Sequence, residues 1–335
     1  MKNKVNIIIP SITISDELIT CLKGINLLNY KNFIVSLVID YDNKKKLPKF
    51  NFKIKKMIVG KIFMSRKRNL AAKKMVTEYI AFIDSDCYPC KNWLNSAIKY
   101  LKNKPIHVVG GPNIPFKNQT YSQKITSFCI RSFFISGHLS YRKYRSPQKY
   151  CEDYLESCNL IMKRSTFINC KGMNEKLYIG EDKELFKDFK IKISDFKTLF
   201  TPDVYVYHKQ RKILKFLLQR LSFGTILVKL VTFQNGLKGF LPIVPILSFF
   251  IFLFFLSSNL ILTTKLSFIL GAFTLINLLI FFEINKFIIK FKDKIFSMLI
   301  INIANLMHIA GGLITLFGFR RMLERKIYVL SRSNK

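Results

Sequence analysis

The sequence has no second Cys-x-x-Cys pair, no internal repeat and no low-complexity tract. Each absence closes a reading. Cys87-Tyr88-Pro89-Cys90 stands alone, so a zinc site built on it lacks half its ligands, and the thioredoxin-like context of a redox pair is missing. The seven cysteines are odd in number and scattered, as in a reducing compartment. MKNKVNIIIPS has too short an apolar stretch for a signal peptide, so the large N-terminal domain is expected to stay cytoplasmic. Acidic residues are scarce, 20 Asp and Glu against 55 Lys and Arg, for a formal charge of +35. The basic residues are diffuse and no nucleic-acid recognition module accompanies them, so no nucleic-acid partner is expected. They suit an anionic membrane leaflet or a phosphate-bearing substrate.

Apolar residues are plentiful, half of the chain with 32 Phe, and they are segregated from the charge. From Gly239 onward there are only 11 Lys or Arg and 3 Asp or Glu. Phe240–Leu262 and Leu266–Phe282 are nearly unbroken apolar runs, close to the roughly 20 residues that cross a bilayer as a helix. Ile295–Phe319 is a third such run, softened by Asn302, Asn305 and His308. Three spans would put Arg320, Arg321, Arg325 and Lys326 outside, against the positive-inside tendency. A two-span hairpin instead keeps Lys286–Lys294 inside and leaves Ile295–Phe319 re-entrant or interfacial. Ile213–Phe233 is amphipathic, and Arg220 near its middle argues for lying in the interface. The expected division is a catalytic domain over 1–212, an interfacial segment over 213–238, and a membrane region over 239–335 with a basic tail, in contact with membrane lipids.

In the first 212 residues, strands and helices alternate. Val5–Pro10, Phe33–Ile39, Lys56–Val59, Tyr79–Ile83, His107–Gly111, Asn159–Met162 and Val204–Tyr207 read as strands. Ile14–Leu28, a helix opened by Ser65 as N-cap and running to Val76, Trp93–Leu101 and Leu177–Phe189 read as helical. This pattern predicts an open, mainly parallel α/β sheet whose ligands sit at strand carboxyl ends. Asp84-Ser85-Asp86 follows a buried strand. In an extended stretch its two carboxylates face the same side, which needs a compensating cation or leaves one of them protonated. A hard divalent ion with oxygen ligands meets that demand.

The order of further motifs resembles the family 2 glycosyltransferases of GT-A fold, a Rossmann-like arrangement, from Val5 to about Gly224. VNIIIP, SRKRNLAAKKMVTEYIAFIDSD, VVGGP, CNLIMKRS, CKGMNEKL, GEDKELF, VYVYHK and LLQRLSFG follow one another as in that family, whose membrane-bound bacterial members carry C-terminal apolar helices. The resemblance implies an inverting enzyme moving a sugar from a nucleotide-sugar donor to a lipid-linked or polysaccharide acceptor at the cytoplasmic membrane face. It implies Mg2+ or Mn2+ held by Asp84, Asp86 and His208, with Asp86 the direct ligand. It also implies donor contacts by Asp40, Arg68, Asn69 and Asp84, and acceptor-side roles for Asn159, Gln219 and Arg220. Asp182 would be the general base, with Glu181 beside it. The chain departs from the family at Ser11-Ile12-Thr13-Ile14, at Asp40-Tyr41-Asp42-Asn43 and at Asp188, which blurs donor specificity. Two other readings stay open. One is a phosphatase or phosphotransferase with Asp84 as nucleophile, although Tyr88 stands where haloacid-dehalogenase-like enzymes carry Thr or Val. The other is a catalytically silent membrane scaffold.

Overall fold

The computed structural model describes residues 3–144, 149–150, 154–177, 179–225, 244–258 and 260–317. The chain divides into two compact units, Met1–Lys117 with Tyr141–Lys209, and Asn118–Ser140 with Gln210–Lys335. Residues 118–140, read from the sequence as part of the 1–212 domain, thus cluster with the second unit.

The first unit is built on an eight-stranded sheet. Its strands are β1 (Val5–Pro10), β2 (Phe33–Ile39), β3 (Ile54–Ile58), β4 (Tyr79–Ile83), β6 (Val108–Gly110), β8 (Lys149–Tyr150), β9 (Asn159–Lys163) and β10 (Thr198–Phe200), in the order β3-β2-β1-β4-β9-β6-β10-β8. Strands β1 to β4 run parallel, as do β6 and β10. β9 is antiparallel to both its neighbours, and β8 is antiparallel to β10. A second sheet, β5-β11-β7, combines β5 (Cys87–Pro89), β7 (Asn113–Pro115) and β11 (Val206–His208). The mainly parallel α/β arrangement is the expected one. The third strand begins at Ile54 rather than Lys56, since its pairing with β2 starts at Val35 opposite Ile54.

Helix α1 (Asp16–Asn26) is capped by the Ser15 hydroxyl, which accepts from the Leu18 N–H at 3.2 Å. It buries Leu18, Cys21, Leu22 and Ile25, the spacing of a single helical stripe against the sheet. Helix α2 (Met64–Lys74) starts one residue before the expected cap. Phe63 is the N-cap, without a side-chain hydrogen bond, and Ser65 is buried inside the first turn. Helix α3 (Trp93–Asn103) packs on β6 and β9 and buries Trp93, Leu94, Ala97, Ile98 and Leu101.

One buried amide ties three segments together. Asn159 donates to the carbonyls of Gly111 at 3.1 Å and Val204 at 2.8 Å, and its Oδ1 accepts from Trp93 Nε1 at 2.8 Å. Asn159→Ala strands all three partners in the core, at about 1–3 kcal/mol for each unsatisfied group. A loss of about 3 kcal/mol or more is expected in urea denaturation followed by the emission of Trp93, the sole tryptophan.

In the second unit, helix α4 (Tyr121–Arg131) opens with a capping box in which Thr120 and Gln123 bond reciprocally. The interfacial segment is helical over α8 (Ile213–Gly224); residues 226–243 lie outside the described residues. Ile125, Cys129, Phe216, Ile284, Ile300 and Ile301 form this unit's core. Gly224 and Gly311 let two backbones meet, since a Cβ on Gly311 would lie 2.0 Å from the Leu221 carbonyl oxygen.

Helices Leu262–Asn285 and Phe291–Leu316 are long and apolar enough to cross a membrane. Their outer faces keep large apolar groups exposed, Leu262 at 77% and Leu306 at 66%. Of the first run, Phe240–Leu262, the described residues place Val244–Ser257 in a helix, while 240–243 and 259 lie outside them. The third run is one continuous 26-residue helix from Phe291, not a re-entrant break. The basic tail at 318–335 lies outside the described residues.

Candidate active site

Asp84 and Asp86 are not on an extended strand. The chain turns as it leaves β4, with the Cys87 N–H donating to the Asp84 carbonyl at 3.1 Å, and re-enters a sheet as β5. The convergence of the two carboxylates comes from this turn rather than from strand alternation. β11 lies antiparallel to β5 with His208 opposite Cys87, which brings His208 Nε2 to 3.5 Å from Asp86 Oδ1. The Asp86 carbonyl also accepts from the Lys209 N–H at 3.0 Å, fixing the turn to β11. Asp84, Asp86 and His208 each offer a ligand atom, all within 4.8 Å of one another. Two carboxylates and an imidazole fit a small divalent ion such as Mn2+ or Mg2+, with positions left for oxygen ligands from outside the chain.

Arg68, on the first turns of α2, is buried beside this turn. Its Nη2 donates to Asp84 Oδ1 at 2.7 Å and its Nη1 to Glu181 Oε1 at 3.3 Å. Burial opposes the guanidinium charge, but Asp84 and Glu181 outweigh it and hold the Arg68 pKa above its ordinary value. Its Nε is buried and has no hydrogen-bond partner among the described residues, a donor suited to an anion.

Glu181 and Asp182 open helix α7 (Glu181–Lys192). Gly180 before them is left-handed, with φ of 83°, a conformation that glycine adopts without a steric penalty. Burial, then the neighbouring Asp182, push the Glu181 carboxyl up to about 7 against the pull of Arg68. Burial also raises Asp182, and the Lys183 charge only partly offsets it. The Asp182 Oδ1 accepts from the Lys183 N–H at 2.9 Å, and no cation forms an ion pair with its carboxylate among the described residues.

The remaining expected residues separate into groups. Asp40, at the end of β2, is buried in an ion pair with Lys67 at 2.6 Å, and Lys67 also donates to the Ser11 carbonyl. Asn69 does not present its amide to a donor. It bonds the Met173 carbonyl at 2.7 Å and Glu175 at 3.0 Å, and accepts from the Met173 N–H at 2.9 Å, so it holds the Gly172–Glu175 loop. Asn159 likewise has both its amide protons and its oxygen engaged in the core, by Gly111, Val204 and Trp93. Gln219 and Arg220 belong to the second unit. There Arg220 Nη1 donates to the Ile135 carbonyl at 3.1 Å, and burial lowers its pKa to about 10.

Sequence reasoning missed Glu156. Burial works to raise this carboxyl, yet Lys143 at 2.7 Å and the nearby Arg142 outweigh it and hold it at about 2, and Asn113 donates to it as well. Its signal was weak: one acid three residues before Asn159 in a chain with few acids. Cys158, beside it, was also missed.

Residues 7–167 match the family model described as "Glycosyl transferase family 2". No curated protein matches the chain. Among solved structures, the mannosyltransferase PcManGT from Pyrobaculum calidifontis, in complex with GDP-Man and Mn2+, aligns at 13% identity with a TM-score of 0.56, over 93% of this chain and 87% of its own. TarS 1-349 of S. aureus, in complex with UDP-GlcNAc, aligns at 17% identity with a TM-score of 0.46, over 62% of this chain and 59% of its own. This chain therefore spans less than two thirds of that fragment. At such identities likeness extends to the fold alone, and the GT-A arrangement rests on PcManGT. Residues 7–167, just under half of the chain, are thus similar to glycosyl transferase family 2.

Proposed function

We propose that the protein is a metal-dependent, inverting glycosyltransferase that takes a nucleotide-sugar donor and acts on a lipid-linked or polysaccharide acceptor at the cytoplasmic face of a membrane. One observation carries the reading: the Asp84, Asp86 and His208 cluster is linked through Arg68 to the acidic pair that opens α7. PcManGT, of like fold, is described with GDP-Man and Mn2+, which supports a nucleotide-sugar donor. The two apolar helices support the membrane.

Asp84, Asp86 and His208 would hold Mg2+ or Mn2+, and a divalent ion there offsets the negative charge that grows on a departing diphosphate. Arg68, with its unpartnered Nε, would bind phosphate oxygen while keeping Asp84 and Glu181 in place. Asp182 takes the acceptor hydroxyl proton at its carboxylate oxygen. A carboxylate with a raised pKa and no ion-pair partner is a stronger base than an exposed one. A single base opposite the leaving group implies direct displacement with inversion. Arg68 holds Asp84 at 2.7 Å and draws on its charge, which weakens it as a nucleophile. The test is nucleoside diphosphate release by the full chain in detergent or nanodiscs, with a panel of donors and Mn2+. No release with any donor would favour the scaffold reading.

The acidic pair sets a pH dependence. Turnover requires the deprotonated base, so kcat is expected to fall on the acid side with an apparent pKa near 7 that belongs to the Glu181–Asp182 pair. Stability moves the other way. A carboxyl whose pKa rises from 4.5 to about 7 on folding stabilises fully below 4.5, and that contribution is lost as pH rises through 7. A pH–kcat profile flat between pH 5 and 8 would contradict the assignment.

A further inference from the structure

The motif that drops out of the transferase reading is the cysteine beside the acidic turn. Cys87 opens β5 directly after Asp86 and sits across the antiparallel pair from His208. Opposed residues of such a pair have their Cβ atoms about 5 Å apart. Cys158 arrives from a different direction, immediately before β9, whose Asn159 pairs with Ile83 at the end of β4. The ligand atoms of Cys87, Cys158 and His208 all lie within 4.8 Å of one another. Cys87 is 1% exposed and Cys158 9%, whereas Asp84 and Asp86 are half-buried.

We infer that Cys87, Cys158 and His208 form a second cation site, selective for a thiophilic divalent ion such as Zn2+, that shares His208 with the carboxylate site. Three atoms this close enclose a point within reach of metal–ligand bonds of about 2.3 Å to sulfur and about 2.0 Å to nitrogen, after small side-chain adjustments. Binding replaces two S–H bonds by two metal–sulfur bonds and releases two protons to solvent. Two thiolates and a neutral imidazole then balance the charge of the ion, which a buried position requires. Glu156 Oε2 lies 4.0 Å from the Cys158 sulfur, which leaves the fourth position to that carboxylate or to water. Thiolates select Zn2+ over Mg2+ and Mn2+, whereas the carboxylates select the hard ions. His208 belongs to both groups, so a thiophilic and a hard ion compete for it. The consequence for turnover, inhibition by Zn2+, rests on the transferase reading; the binding does not.

The test is titration of the full-length protein in detergent with Co2+, read by the thiolate-to-cobalt charge-transfer absorption. The wild type is expected to develop this band, Zn2+ to abolish it, and Cys87→Ser and Cys158→Ser each to remove most of it while Trp93 emission stays native. If Cys87→Ser does not fold, Cys158→Ser alone decides. No band in the wild type, or an undiminished band in Cys158→Ser, overturns the site. With donor and Mn2+ supplied, Zn2+ is expected to inhibit the wild type at least tenfold more strongly than Cys158→Ser, and equal inhibition overturns the shared ligand. A cobalt band in a protein that turns over no donor would leave the site standing and remove the transferase reading instead.

Discussion

Asp182→Asn is expected to lower kcat by about 10²–10⁴-fold, the range over which a positioned general base contributes, while donor affinity stays within a few-fold of wild type. The split follows from the site. Asp182 lies outside the Asp84, Asp86 and His208 cluster and outside the ion pairs of Arg68, so removing its charge leaves the donor-side groups as they were. Asparagine keeps the side chain's shape and its acceptor for the Lys183 N–H but cannot take a proton. Glu181→Gln is the comparison. It removes the partner of Arg68 Nη1 and relieves the like charge beside Asp182, so it is expected to shift the acid limb of the pH profile downward with a smaller loss of kcat. Single-turnover release of nucleoside diphosphate, with donor affinity measured separately by calorimetry, separates the two variants. If Glu181→Gln costs more in kcat than Asp182→Asn, their roles are exchanged.

Asp86→Ala is expected to abolish Mn2+-dependent donor binding and to reduce kcat/KM by about 10³-fold, equivalent to about 4 kcal/mol. Asp86 is the member of the cluster nearest His208, at 3.5 Å, and among the described residues no arginine pairs with it as Arg68 does with Asp84. Its loss leaves one carboxylate, already claimed by a guanidinium, and one imidazole, too few anionic oxygens for a hard ion. Calorimetry of nucleoside diphosphate binding with and without Mn2+ reads the effect directly. Undiminished Mn2+-dependent binding in Asp86→Ala would exclude that side chain as a ligand.

The legible parts of the molecule were those fixed by local pattern. Val5–Pro10, Phe33–Ile39 and Tyr79–Ile83 are short apolar runs ended by polar or turn residues, and they occur as strands at those bounds. The acidic turn, His208 and the Glu181–Asp182 helix start were also visible, because scarce acids placed after strands stand out in a basic chain. What stayed hidden depends on topology. Nothing local marks β9 as antiparallel, and that reversal is what brings Asn159 into the core and Cys158 beside His208. Nothing local sets Lys67 apart from the chain's many other cations, yet α2 turns it inward onto Asp40. Ser65 looked like an N-cap by residue type, but the helix had already begun at Met64, and a side chain within the first turn does not cap it. Asn69 and Asn159 sat at the right motif positions with their hydrogen-bonding capacity already committed inside the protein.

The reversed strand also dictates when the site can exist during synthesis. Residues 5–83 contain four strands that pair with one another and can assemble as they leave the ribosome. β6, made next, finds neither of its neighbours until residues 159–163 and 198–200 have emerged. Asp84 and Asp86 wait longer still, because His208 belongs to the last strand of this unit to be made. Domains assemble as their chain is delivered. The acidic turn therefore stays open through most of translation and closes only shortly before the apolar helices from Val244 onward are produced.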